Sequence, residues 1–105
     1  MSKSPIITDG DWLHNDHAGE MLSAEFMEPI GLSAEALALA LQIDRSRIDE
    51  VISGLRPMDA ELDLRLTRYF GMSEGFFLRL QNRHDLLEAK RALNGQLDRI
   101  VPRAA

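Results

Sequence analysis

The sequence predicts an all-α domain of five helices, with a sixth helical segment where the last helix continues toward the C-terminus. Three observations predict this fold class. Apolar residues recur at intervals near ~3.6 residues through most of the chain. Most of these runs begin after a residue type that caps helices or stop at a glycine. No segment shows the alternation of a convincing strand. The 105 residues suffice for one domain with one modest core.

The first helix is predicted to begin at Ala18. Residues 1–17 are rich in turn-forming residues and show little periodicity, which predicts a flexible or loosely docked arm. The helix then presents one apolar face, and Pro29 and Gly31 end it. This face consists of Met21, Leu22, Phe26 and Met27.

The second and third helices are predicted to be short and closely connected. Ser33 is a predicted N-cap for SAEALALAL, which is so apolar that it should be buried on most sides. A tight turn at residues 42–43 follows, and Asp44 is predicted to cap a helix that stops at Gly54. The inward stripe of this third helix is Ile48, Val51 and Ile52.

Two further helices complete the prediction. Asp59 is a predicted cap for a fourth helix that ends at Gly71, and Ser73 for a fifth. The apolar spacing of the fifth continues toward Val101, with the Asn94-Gly95 pair as a potential interruption. The sequence thus divides into the arm at 1–17, a helical domain at 18–90, and a helical extension or tail at 91–105.

Composition narrows the functional classes. The absence of cysteine excludes disulfides and cysteine-based zinc sites and fits a reducing, cytoplasmic compartment. No apolar run approaches the ~20 residues of a membrane span, and no secretory signal is visible. The three histidines have no catalytic partner at a telling spacing, so we expect no enzyme. His14, Asp16 and His17 are a chance cluster rather than a metal site, and we expect neither metal nor cofactor.

The charge is polarised along the chain. The net charge of −5 combines an acidic segment 1–43, at −6, with a basic segment 79–105, at +3. The negative net charge, taken alone, argues against nucleic-acid binding, but local arginine clusters can still bind phosphate. The acidic segment suits a basic protein partner.

The second and third predicted helices have the pattern of a helix-turn-helix. A small residue, Ala38, stands where the two helices should cross closely. An apolar residue, Ile43, occupies the turn, and Ile48 follows one turn into the next helix. The fourth helix then closes the core. Many helical hairpins satisfy part of this pattern, so it is moderately specific.

Four stretches resemble the HigA/VapI type of antitoxin, a branch of the phage-repressor-like (Xre) helix-turn-helix family. They are HAGEML at 17–22, MEPIGLSAEALALAL at 27–41, RIDEVISGLRP at 47–57 and LRLTRYFGMSEGFFLRLQNRHDL at 64–86. The resemblance covers about two-thirds of the chain and implies a lambda-repressor-like fold. It also implies a dimer that represses its own operon and binds and inhibits a small RelE/HigB-like mRNA endonuclease toxin.

The first turn of the third helix is the predicted DNA-reading element, because this turn enters the major groove in helix-turn-helix docking. Arg45 and Ser46 would lie at its tip; Arg45 could pair with guanine, Arg47 with phosphate, and Glu50 with cytosine. Further phosphate donors would be Ser33, Gln42 and Arg56. The alternative is that the helix only forms ion pairs within itself, such as Arg45 with Asp49.

Three positions depart from the common repressor pattern. Ala34 stands where repressors often have a phosphate-contacting Gln, and Gln42 where they often have Gly. Leu55 replaces a basic residue after the stop glycine, although Arg56 follows. These departures keep a second function open, a helix-turn-helix-fold interaction module without DNA binding. A plain repressor without a toxin partner is also open.

Two surfaces are candidates for protein partners. The acidic N-terminal part would suit a basic toxin, and its candidate contacts are Asp11, Trp12, Glu20 and Glu25. Trp12 could equally pack back on its own domain. The apolar stripe of the last helix is assigned to a homodimer, since two reading helices usually lie one DNA turn apart. The alternative is that the tail packs onto the first and fourth helices.

Overall fold

The computed structural model describes residues 15–104, and this part of the chain is helical, without a strand. Helix α1 comprises Ala18–Met21 and continues as a π-helical segment, Leu22–Met27, and a 3₁₀ turn, Glu28–Ile30. The other helices are α2, Ala34–Leu41; α3, Arg45–Ser53; α4, Ala60–Phe70; and α5, Phe76–Leu93, followed by a 3₁₀ turn, Gln96–Arg99. The predicted all-α fold class is therefore confirmed.

The core lies where α1 to α4 and the first turns of α5 meet. Ala38 is buried at the contact of α2 with α3, as the helix-turn-helix pattern predicted, and Ile48 is fully buried. Phe77 is also fully buried, and its ring centroid lies 5.1 Å from that of Phe26. These contacts use apolar surface from every helix, so α2 and α3 are held in a fixed mutual orientation.

The first helix departs from the uniform α-helical spacing that the sequence predicts. Ala18 and Leu22 are buried four residues apart, but the next buried residue, Met27, follows only after five. The π-helical hydrogen bonds of this segment span i to i+5, so the wider turn brings Met27 back to the core. Gly31 ends the run in the left-handed conformation, at φ 64°.

The predicted caps are partly correct. The Ser33 hydroxyl accepts a hydrogen bond from the Ala36 amide at 3.1 Å, and an Asp59 carboxylate oxygen accepts one from Leu62 at 2.8 Å. Asp44 occupies the N-cap position of α3, but its side chain makes no capping hydrogen bond. The predicted N-cap position of Asp44 is therefore confirmed, but without a hydrogen bond from the backbone to its side chain.

The predicted start of the fifth helix is wrong. The α-helix begins at Phe76 with Gly75 as N-cap, not at Ser73. Its first amides are bound by a carboxylate from α4: Asp63, 1% exposed, accepts hydrogen bonds from the backbone of Gly75, Phe77 and Leu78 at 2.6, 2.8 and 3.1 Å. A distant buried residue thus replaces the local cap, which the local sequence pattern does not reveal.

The C-terminal region does not continue as one helix. Asn94 and Gly95 both adopt positive φ angles, which end α5 as the Asn-Gly pair suggested. Beyond them Leu97, Ile100 and Val101 are 48%, 68% and 83% exposed, which disfavours a tail packed onto α1 and α4. Within the described part of the chain, no helix has the length and apolar character needed to cross a membrane.

Candidate DNA-binding surface

Helices α2 and α3 are joined by a turn of helix-turn-helix geometry. Gln42 takes the left-handed conformation at φ 62°, and the amide of Ile43 donates to the Ala38 carbonyl at 3.0 Å. Since Ile48 and Val51 are buried, the helical period turns the opposite side of α3 outward. This outward face carries four polar residues: Ser46, Asp49, Glu50 and Ser53.

Arg45 flanks this face in the first turn of α3, with 60% of its side chain exposed. Its Nε lies 3.3 Å from an Asp49 carboxylate oxygen, so the i,i+4 ion pair considered from the sequence is present. An exposed pair of this kind contributes only a few tenths of a kcal/mol, or about 0.3 to 0.5. The guanidinium can therefore leave Asp49 at little cost when a base or phosphate approaches.

Arg47 lies on the other flank and is more enclosed, with 27% of its side chain exposed. Its guanidinium is 3.8 Å from an Asp59 carboxylate oxygen and 3.7 Å from a Glu61 carboxylate oxygen. Both acids belong to the start of α4. Because they follow in a separate helix, spacing along α3 does not predict their contact with Arg47.

Glu50 and Arg56 form a pair across the end of α3. The Arg56 Nε donates to a Glu50 carboxylate oxygen at 2.9 Å, and the Arg56 amide donates to the Glu50 carbonyl at 3.2 Å. Arg56 therefore folds back over α3 after Gly54. Leu55, the residue that departs from the repressor pattern, is 82% exposed and points away from the core.

The remaining predicted phosphate donors lie at opposite ends of α2. Ser33 precedes it and Gln42 follows it, and both are exposed. They flank a helix of eight residues, so these two positions are separated by about 13 Å along its axis. They could therefore reach different phosphates but not the same one. The Ser33 hydroxyl already accepts the α2 capping bond, which leaves its O–H as a donor.

The HAGE segment, residues 17–20, packs against the buried side of α3. His17 Nδ1 accepts hydrogen bonds from the Gly19 and Glu20 amides at 3.1 and 3.3 Å, and the Glu20 carboxylate accepts one from the His17 amide at 3.0 Å. This reciprocal arrangement is a capping box. Gly19 then lies directly against the Val51 carbonyl of α3. In the sequence, only the family resemblance singles out this segment.

The predicted partner-binding residues have different environments. Glu20 is engaged in the capping box, although its side chain remains 50% exposed. Glu25 is exposed on the π-helical segment. Asp11 and Trp12 lie outside the described residues. Of the predicted partner-binding residues, the structure therefore describes two carboxylates, Glu20 and Glu25, both in α1 and its π-helical continuation.

A polar cavity of about 210 Å³ lies between the start of α1, the end of α3 and the middle of α5. The His17 and His84 rings meet edge to face there at 5.8 Å. Gln81 lines the cavity; its side chain accepts a hydrogen bond from the Met58 amide at 3.1 Å and donates one to Asp85 at 3.0 Å. The LQNRHDL segment therefore has a structural role. His14 lies outside the described range, and no group of residues within 15–104 could hold a metal ion.

The helix-turn-helix and its polar outward face define the class of DNA-binding helix-turn-helix regulators. No protein-family model matches the chain. Virulence-associated protein I of Dichelobacter nodosus is 45% identical over 74 residues, which cover 70% of this chain and 68% of that protein. Antitoxin HigA-1 of Vibrio cholerae is 33% identical over 72 residues, covering 69% and 68% of the two chains.

Solved structures give the same result. PA4674 of Pseudomonas aeruginosa, in complex with its operator DNA, is 33% identical with a TM-score of 0.80, and the match covers 86% of this chain and 96% of that one. A HigA-family addiction module antidote protein of Coxiella burnetii is 30% identical with a TM-score of 0.77, covering 86% and 98%. The chain belongs to the HigA family of helix-turn-helix antitoxins, whose members are regulators and not enzymes.

Proposed function

We propose that this protein is the antitoxin of a toxin–antitoxin pair. It binds the operator of its own gene as a homodimer in the cytoplasm, and it binds and neutralises a RelE/HigB-like mRNA endonuclease. The observation that carries the proposal is the outward face of α3, where Ser46 and Glu50 stand between two flanking arginines. A relative of the same fold was solved on its operator DNA, which supports this assignment.

In the proposed complex the first turn of α3 enters the major groove. Arg45 leaves Asp49 and pairs with a guanine, the commonest specific contact of an arginine. Glu50 accepts a hydrogen bond from a cytosine amino group. The Arg56 guanidinium, whose Nε lies 2.9 Å from a Glu50 carboxylate oxygen, contacts a nearby phosphate. Ser33 and Gln42 supply hydrogen bonds to further phosphates.

Replacing Arg45 by alanine is expected to weaken operator binding by about 5- to 150-fold, because one bidentate base contact is worth about 1–3 kcal/mol. Fluorescence anisotropy with a labelled duplex from the region upstream of the gene measures this, with a scrambled duplex for non-cognate affinity. Arg68→Ala removes an exposed arginine from the last turn of α4, outside the residues proposed for DNA contact and dimerisation, and should leave binding unchanged. Equal affinities for Arg45→Ala and the wild type would exclude α3 as the reading helix.

The homodimer is proposed to form through the last helix and the segment after it. Leu86 is 61% exposed there, and Leu97 and Ile100 extend the apolar surface beyond α5. A two-fold arrangement would present two copies of α3 to two half-sites. The same anisotropy titration, run at protein concentrations far above the dissociation constant, should saturate at two chains per duplex. Saturation at one chain would contradict the homodimer.

The toxin is proposed to bind the acidic N-terminal side, where Glu20 and Glu25 carry charge complementary to a basic RNase. A tagged chain expressed in its native host is expected to co-purify with a small basic protein. After separation, that protein should cleave mRNA in a translation extract and stop when the chain is added back. Glu25→Lys should weaken this inhibition, whereas Glu74→Lys, in the loop before α5, should not.

The operator-binding titration and the toxin co-purification also separate this function from the two alternatives. The pairing of Arg45, Arg47 and Arg56 with carboxylates favours an interaction module that has lost DNA binding as the second candidate. Such a module would capture the toxin without shifting operator DNA. A plain repressor would shift the DNA and capture no toxin.

A further inference from the structure

Every arginine of the candidate DNA-binding surface faces a carboxylate of its own chain. Arg45 is 3.3 Å from Asp49, Arg56 is 2.9 Å from Glu50, and Arg47 is within 4 Å of two acids of α4. The carboxylates in this set outnumber the arginines. A DNA phosphate that approaches one of these guanidinium groups therefore competes with a carboxylate for it, and the net gain is smaller than for a free arginine.

The pair of Arg47 with Glu61 differs from the other two. The Asp49 and Glu50 carboxylates belong to α3 itself and move with the reading helix. Glu61 belongs to α4 and is also bonded to Arg65, at 3.0 Å. Arg65 in turn donates to the Leu41 carbonyl at the end of α2, at 2.8 Å. The Glu61 carboxylate is therefore held in place beside Arg47, which is the least exposed of the three arginines.

We propose that Glu61 is a specificity-determining residue whose carboxylate competes with DNA phosphate for Arg47. The inference rests on the proposed operator binding and adds a residue outside the helix-turn-helix to it. In loose non-cognate complexes, which depend on phosphate contacts alone, Arg47 stays with Glu61. In the operator complex, base contacts by the first turn of α3 seat the helix and bring a phosphate close enough to displace the carboxylate. Glu61 thus lowers affinity for non-cognate DNA more than for the operator.

The central test compares two variants with the same change of charge, Glu61→Gln and Glu74→Gln. Their binding to the operator duplex and to a scrambled duplex is measured between about 50 and 200 mM salt, where the salt slope counts neutralised phosphates. For Glu61→Gln, the slope on the scrambled duplex should steepen by at most about 0.9, the value for one full phosphate contact, because Asp59 remains 3.8 Å from Arg47. The ratio of operator to scrambled affinity should fall. Glu74→Gln should change neither slope nor ratio.

A change at Arg47 tests the same competition without altering α4. Arg47→Gln should weaken operator binding but leave the scrambled duplex nearly unaffected, because the wild-type arginine is withheld from non-cognate DNA. In the Arg47→Gln background, Glu61→Gln should no longer steepen the slope. If Glu61→Gln still steepened the salt slope in the Arg47→Gln background, the extra phosphate contact would come from Arg65, the second partner of Glu61. That result would overturn the assignment.

Heparin provides a polyanion that requires no operator. Glu61→Gln should elute from a heparin column at higher salt than Glu74→Gln, and thermal melts should show that both variants are folded. Identical behaviour of the two variants on DNA and on heparin would overturn the proposal. If the wild type binds no duplex at all, the operator function fails, and the heparin comparison alone decides whether Glu61 masks Arg47.

Discussion

Replacing Asp63 by alanine is expected to lower the free energy of unfolding by about 3 kcal/mol, a large part of the ~5–15 kcal/mol that small domains possess. The carboxylate is 1% exposed and accepts three backbone N–H groups at the start of α5. Alanine would leave these donors without an acceptor in a largely buried setting. Urea denaturation followed by circular dichroism measures the loss.

Two matched variants make this result interpretable. Asp63→Asn keeps one side-chain oxygen, which could still serve Phe77 and Leu78, so it should lose about half as much stability. Asp98→Ala, at an exposed position in the C-terminal 3₁₀ turn, should cost less than about 0.5 kcal/mol. If Asp63→Ala were as mild as Asp98→Ala, then Asp63 would not be the group that begins α5.

Replacing Gly19 by alanine is expected to cost about 3 kcal/mol, at the upper end for overpacking. A Cβ at this position would overlap the Val51 carbonyl and approach the His17 ring to 3.0 Å. The two nearest obstructing atoms are backbone atoms of Val51, so relief requires movement of α3. The variant should therefore also bind the proposed operator less well than its folded fraction predicts.

Gly31→Ala is the matched control for Gly19→Ala. Nothing lies within 4 Å of a Cβ there, and the only cost is the left-handed conformation at φ 64°, about 1–2 kcal/mol. Helix propensity alone predicts the opposite order, because alanine is favoured over glycine inside a helix by about 1 kcal/mol. If Gly31→Ala proved the more harmful change, α1 would not pack on α3 as closely as the structure has it.

The sequence was most informative where structure depends on near neighbours. The helix-turn-helix followed from Ala38, Ile43 and Ile48 at fixed spacings, and the caps at Ser33 and Asp59 lie three residues from the amides that they bind. The polar face of α3 was likewise readable from its helical period. These features span a few residues, so local pattern and propensity suffice to predict them.

The first residues of α3 and α5 show which features local sequence does not determine. Asp44 and Ser73 have residue types that suit an N-cap, yet the side chain of one makes no capping bond and the other does not begin its helix. Asp63, in the middle of α4, binds the first amides of α5 instead. Residue type determines what a side chain can bind, but the packing of α5 against α4 determines which carboxylate binds the first amides of α5.

The sequence by itself determined the helical class, the helix-turn-helix and the charged residues on and around α3. Only the tertiary structure decided how those charges are paired, since Arg47 meets Glu61 across two helices and Gly19 meets Val51 across another contact. The physical reason is that charge and size are properties of a residue, whereas partners are properties of the packing. Residues on different helices become contact partners only when those helices pack together around the common core.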